Sequence, residues 1–285
     1  MSLLDFLQSN SIALYSVIGV LGLLVGSFLN VVIARLPVML QKEWEAQCDE
    51  HYNPDDHSPF NLNTPRSHCP HCGHMITAIE NIPIISYLFL RGKCKGCHAH
   101  ISLRYPAIEL VTAGLSVMTA WHFGLSWQMA AALLLGWALI ALSMIDYDHQ
   151  LLPDSITLPF CWLGLLINIP ATFTTLQASV IGGVAGYLSL WTVFHVFKLL
   201  TGKEGMGYGD FKLLAMLGAW MGWQLLPFII VIASFVGAVI GIGLIVLRGR
   251  DRQMPIPFGP FLAIAGWICL LWGNTISQTY LSFAS

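Results

Sequence analysis

Charge is what this chain has least of. Only 10% of its 285 residues are Asp, Glu, Lys or Arg, while 56% are hydrophobic. Soluble domains carry roughly a quarter charged residues, so an ordinary soluble fold is excluded and a polytopic membrane protein is implied. The net charge is −2, and no nucleic-acid partner is expected. The N-terminus lacks the basic stretch of a cleavable signal, so the first apolar run is expected to stay as a membrane anchor. A strand-linked glycine-rich nucleotide motif is also missing, which leaves no sign of a Rossmann-type cofactor site. No internal repeat is evident, and that argues against a transporter, whose ionisable groups would sit at the midplane of paired repeats.

Apolar runs are abundant. Those able to cross a hydrocarbon core about 30 Å thick fall near 11–34, 106–124, 127–145, 155–172, 176–197, 225–247 and 256–272, with a shorter one at 211–223. Eight crossings with the N-terminus outside place all 13 Lys and Arg residues on the inner side, as the positive-inside rule demands. Fusing 211–247 into one crossing would move Arg248, Arg250 and Arg252 outside. A break near Trp223 and Gln224 is therefore expected.

Two aspartates stand at the ends of apolar runs, on the same inner side by this topology. Asp146 closes the third run, and Asp210 ends the segment Gly205-Met206-Gly207-Tyr208-Gly209-Asp210 before the sixth. A charge at a bilayer boundary or inside it costs a few kcal/mol on insertion scales, roughly 2.5–3.5 at a helix centre, and calls for a compensating role. Paired carboxylates suit acid/base hydrolysis; an N-cap beside a glycine turn is the plainer role for Asp210. Asp148, His149 and Asp154 are nearby competitors for a catalytic role, with a cap of the fourth helix as the other reading of Asp154. Asn30 and Glu109 read as buried hydrogen-bonding residues. Pro257-Phe258-Gly259-Pro260 reads either as a proline-rich helix start or as a lining of the site.

The only sizeable hydrophilic region, 38–104, holds Cys69-Pro-His-Cys72 and Cys94-Lys-Gly-Cys97. Two CxxC pairs can supply four thiolates to one tetrahedral ion, and structural zinc is the expected ligand. Two disulfides are the alternative, which a reducing cytosol disfavours. His68, His71, His74, His98 and His100 crowd the cysteines, and one of them could replace a thiolate. Cys48, Cys161 and Cys269 read as ordinary thiols. The acidic stretch from Gln41 to Asn63 reads as a solvated linker, with order resuming near Pro65. The division expected is a first helix at 1–37, a cytoplasmic tetracysteine loop at 38–105 and a seven-helix membrane domain at 106–285.

Taken together, these segments resemble the type IV prepilin peptidases. The resemblance rests on Gly26-Ser-Phe-Leu-Asn30 through Arg35-Leu-Pro, both cysteine pairs, Asn81-Ile-Pro, Arg91-Gly-Lys-Cys, Arg104-Tyr-Pro-Ala-Ile-Glu109, the stretch from Asp146 to Leu152-Pro-Asp154, and the GxGD segment with Phe211-Lys212. It implies an all-α enzyme of the bacterial inner membrane that cuts the basic leader of type IV prepilins and type II secretion pseudopilins at the cytoplasmic face. The new N-terminal residue is then methylated, with S-adenosylmethionine as donor. The catalytic pair would be Asp146 and Asp210, and methyl transfer would depend on the first half of the chain, with Gly92 and Lys93 as candidates. Implied partners are the pilins and pseudopilins, the pilus or secretion machinery and membrane lipids. Helix ends suggest that Asp210, at an N-terminus, is the ionised base and Asp146, at a C-terminus, the acid. A presenilin-like intramembrane protease would not need the tetracysteine loop. A zinc-stabilised scaffold would leave the aspartates unexplained.

Overall fold

The computed structural model describes residues 3–48, 59–203, 205–248 and 257–284, and among these it is helical with no strand, only isolated bridges. Helices run α1 (Leu3–Ser9), α2 (Ser11–Cys48), α3 (Ile85–Phe89), α4 (Arg104–Phe123), α5 (Trp127–His149), α6 (Asp154–Ile167), α7 (Leu176–Thr201), α8 (Tyr208–Met221), α9 (Leu226–Arg248) and α10 (Gly259–Ala284). Among the described residues, five segments, in α2, α5, α7, α9 and α10, are long and apolar enough to cross a membrane. The chain is an all-α integral membrane protein. α4, α6 and α8 lie where the other three crossings are expected. α6 and α8 have 14 residues each, which at 1.5 Å per residue reach about 21 Å.

Contacts divide the chain into two compact units, 1–129 and 130–285. The first holds α2, the loop and α4, although the sequence grouped α4 with the later helices. Glycine explains the pairing. A Cβ at Gly22 would lie 2.7 Å from the Ala113 Cα, and one at Gly26 would lie 2.7 Å from the Glu109 Cα. Small residues one turn apart thus let two backbones meet where lipid supplies no hydrophobic drive. α2 also runs eleven residues past Pro37 to Cys48. The first eight residues of the expected linker, 41–48, are therefore helix, with Gln41 donating to Glu45 at 2.9 Å. The acidic residues Asp49, Glu50, Asp55 and Asp56 lie outside the described residues.

In the second unit α8 is the buried centre, with every residue from Leu213 to Met221 enclosed. α7 approaches it through glycine: a Cβ at Gly186 would stand 2.6 Å from the Leu214 carbonyl oxygen. Asn168, fully buried in the turn after α6, donates to the carbonyls of Ala219 and Trp220 and accepts from the amides of Phe173 and Thr174. That side chain ties the α6–α7 turn to the end of α8 and meets amide hydrogen bonds that lipid could not. The expected break before α9 falls at Gly222, whose φ of 84° suits only glycine.

Candidate active site and metal centre

α5 ends one turn beyond Asp146, and α8 begins two residues before Asp210. Both carboxylates are buried, at 6% and 7% exposure, and Asp146 lies within electrostatic reach of Asp210. The N-cap of α8 is Gly207, not Asp210, and it carries no side-chain cap. The capping role is thereby corrected: Asp210 sits inside the first turn, and its Oδ1 is buried with no hydrogen-bond partner among the described residues. An unmet buried acceptor is uncommon in native proteins and is open to a water or a substrate group.

Asp146 is held differently. Its Oδ2 accepts the backbone N–H of Gly259 at 2.9 Å. That N–H is one of the orphan donors at the start of α10, so the last helix delivers its N-terminus to the carboxylate that ends α5. A Cβ at position 259 would lie 2.6 Å from that oxygen and 3.2 Å from Leu152 Cδ2. Gly209 packs on the same leucine, where a Cβ would be 2.8 Å from Leu152 Cβ. Leu152 thus spaces the GxGD turn from the α10 start. Gly259→Ala is expected to cut any Asp146-dependent hydrolysis about a hundredfold, the scale of a misplacement near 1 Å, with the protein still inserted and folded. Gly114→Ala, where a Cβ meets nothing within 4 Å, should leave the rate unchanged.

The competing acids fall elsewhere. Asp148 is exposed. Asp154 is the first residue of α6, whose cap is Pro153, and both its oxygens accept from Lys212 Nζ at 2.7 Å. The expected side-chain cap is replaced by a half-exposed ion pair joining α6 to α8, of a kind worth no more than about 1 kcal/mol. Glu109 belongs to the first unit, buried on α4, where its Oε2 accepts the Ile84 N–H at 2.8 Å.

The four cysteines Cys69, Cys72, Cys94 and Cys97 converge, their sulfurs all within 4.8 Å of one another. No disulfide joins them. The Cys69–Cys97 and Cys72–Cys94 sulfur pairs are 3.8 and 3.9 Å apart. A tetrahedral site with bonds of about 2.3 Å has edges of about 3.8 Å, so the set fits a zinc-sized ion. Each CxxC is a tight turn: Cys69 N–H donates to the His74 carbonyl, and Cys94 N–H to that of Ala99. Four residues after each first cysteine the backbone is left-handed, at Gly73 with φ 71° and at His98 with φ 58°. Backbone N–H groups of His71 and Cys72 lower the Cys69 thiol to about 7. Those of Cys97 and Gly96 lower Cys94. The His74 N–H favours a Cys72 thiolate as well, but burial and the neighbouring sulfurs push that thiol up to about 12. A second or third thiolate here needs a cation to offset it. His74 is not among the four; it pairs with Glu80 at 3.2 Å. The Thr77 amide, then His74 and Lys95, hold Glu80 far below the usual carboxylate range, at about 2. Elemental analysis is expected to find about one zinc per chain, and Cys97→Ser to lower that content; metal-free protein with its four thiols intact would contradict this.

Gly92 and Lys93 enter the second cysteine turn. Lys93 is exposed and bridges His100 through its backbone. Gly92 has φ 67°, and a Cβ there would sit 2.7 Å from the Tyr87 hydroxyl oxygen.

Comparison with known proteins agrees with this division. Residues 20–123 match the bacterial peptidase A24 N-terminal domain, and residues 133–242 match the type IV leader peptidase family. The chain is 58% identical over 272 residues to a prepilin leader peptidase/N-methyltransferase of Aeromonas hydrophila, covering 94% of each. It is 58% identical over 287 residues to the protein of that name from Stutzerimonas stutzeri, and 56% identical over the same length to that from Pseudomonas aeruginosa, covering 100% of this chain and 99% of each relative. No solved structure matches.

Proposed function

We propose that this chain, which belongs to the type IV leader peptidase family, cuts the leader from prepilins and pseudopilins and then N-methylates the new N-terminal residue. The observation that carries the reading is the buried carboxylate pair, Asp146 and Asp210, brought together from helix ends 64 positions apart in the sequence. With eight crossings and the N-terminus periplasmic, the pair lies at the cytoplasmic face of the inner membrane. There the basic leader of an inserted substrate meets its apolar helix. Type IV pili or type II secretion machinery would receive the product.

Hydrolysis by two carboxylates needs one charged, to take a proton from water, and one protonated, to polarise the scissile carbonyl; close like charges favour that sharing. The hydrogen bonding supports the reverse of the helix-end assignment. The Gly259 N–H donates to Asp146 and favours its charge; the Gly207 backbone does the same for the Asp210 carboxyl, but Asp210 Oδ1 is buried with no donor among the described residues. Asp146 then accepts the proton of the attacking water, and Asp210 hydrogen-bonds the carbonyl oxygen. The dyad titrates as one unit. The tetracysteine ion is structural and staples a loop too small for a core of its own. S-adenosylmethionine, when bound, would supply the methyl group to the new N-terminal amine.

Purified protein in lipid, given a prepilin and S-adenosylmethionine, tests the reading by mass spectrometry. The expected product lacks the leader and carries one added methyl at its N-terminus. Uncut substrate would favour a scaffold, and cuts within the apolar helix an intramembrane protease.

A further inference from the structure

A cavity of about 550 Å³ in the first unit is not lined by the aspartates at all. It lies among α2, α4 and the cysteine loop, with Asn30, Arg35, Glu80, Tyr87, Tyr105 and Glu109 in its walls. Pockets of roughly 300–1,000 Å³ enclose drug-sized ligands. Three features mark this one as built. Glu109 is a carboxylate only 7% exposed that lines the space from α4. The residue whose amide it accepts, Ile84, also lines the cavity and has a φ of 60°. A β-branched residue in that region is strained, and such strain collects at ligand sites. Arg35, also in the lining, is half-buried and donates to the carbonyls of Asn61 and Pro65, at 2.8 and 2.6 Å.

The lining therefore offers both signs of charge, aromatic faces and amide groups in one half-open cleft. A basic leader peptide fits it poorly, because Arg35 and Lys95 share its sign. A zwitterion bearing an aromatic base and a cationic centre fits well. We propose that this cavity binds S-adenosylmethionine, with Glu109 as the carboxylate that offsets the positive sulfonium; the proposal rests on the methyltransferase reading above. Burial sharpens such a pairing, because a charge removed from water interacts strongly with its partner. Cys69 and Cys94 contribute to the same walls, so the ion that holds them also holds the pocket's shape.

Equilibrium dialysis of radiolabelled S-adenosylmethionine against the full chain in lipid nanodiscs tests the site without any turnover. Glu109→Gln keeps an acceptor for the Ile84 amide and removes only the charge. Ser86→Phe fills the cavity from α3. Each is expected to raise Kd about tenfold or more, with metal content and thermal midpoint unchanged. If Glu109→Gln loses its metal, Ser86→Phe decides alone. Folded, metal-replete variants with the wild-type Kd would overturn the site while leaving the methyltransferase reading intact. Failure of the wild-type protein to bind at all would overturn both.

Discussion

Asp146→Asn and Asp210→Asn are each expected to abolish prepilin cleavage, while membrane insertion and metal content stay as in the wild type. Both changes are isosteric, and each removes a proton-transfer partner. One general acid or base contributes typically 10²–10⁴-fold, and in a dyad the remaining carboxyl has no partner with which to share its proton. The losses should therefore not add: the double variant is expected to be no slower than the worse single one, as for residues that act as a unit. Packing gives no reason for collapse. The carboxamide of the Asp146→Asn variant keeps an oxygen for the Gly259 amide, and Asp210 Oδ1 has no hydrogen bond among the described residues to lose. Asp148→Asn, at an exposed position, and Asp154→Asn, which breaks a half-exposed pair with Lys212, should cost far less. Near-normal cleavage by either Asp146→Asn or Asp210→Asn would refute the assignment.

The cysteine pairs, the aspartates and the helix positions were legible because each is a local signal of spacing or hydropathy. What stayed hidden depends on distant partners. Gly259 lies 113 positions from Asp146, and its sequence context announces only a helix start. That an orphan amide must find an acceptor could have been asked of this segment, but not which acceptor it finds. The proposed charge assignment differs from the helix-end one for the same reason. A macrodipole argument sees one helix, whereas the α10 amide, acting from outside α5, favours charge on Asp146. The first helix, expected over 1–37, runs on through Pro37 although proline removes an intrahelical donor. Helix-forming residues from Gln41 to Glu45 carry α2 beyond it, and Lys42 lies 4.5 Å from the Phe60 ring centre. Asp154 failed as a cap because Lys212, 58 positions away, drew its carboxylate.

Gly92→Ala is expected to remove N-methylation almost completely while leaving cleavage in place. At φ 67° an alanine is strained by roughly 1–2 kcal/mol, and its Cβ would lie 2.7 Å from Tyr87 Oη and 2.9 Å from Cζ. An aromatic ring cannot yield there by a small torsion at its tip. The Gly92 amide donates to the Tyr87 carbonyl, and its own carbonyl accepts from Ile101, so the backbone is pinned and Tyr87 must move. That side chain lines the cavity of the first unit, which Asp146 and Asp210 do not line, and its displacement reshapes the wall. The competing account is that Gly92 merely forms the turn into the second cysteine pair, in which case the damage would show as lost metal. A pilin already cleaved, offered with S-adenosylmethionine to Asp210→Asn and to Gly92→Ala, separates the two. Methylation by the aspartate variant, and its loss in a zinc-replete Gly92 variant that still cuts prepilin, is the expected pair of results. If the well-folded Asp210→Asn protein also fails to methylate, hydrolysis and methyl transfer share one active site, and the assignment of methylation to the first unit falls.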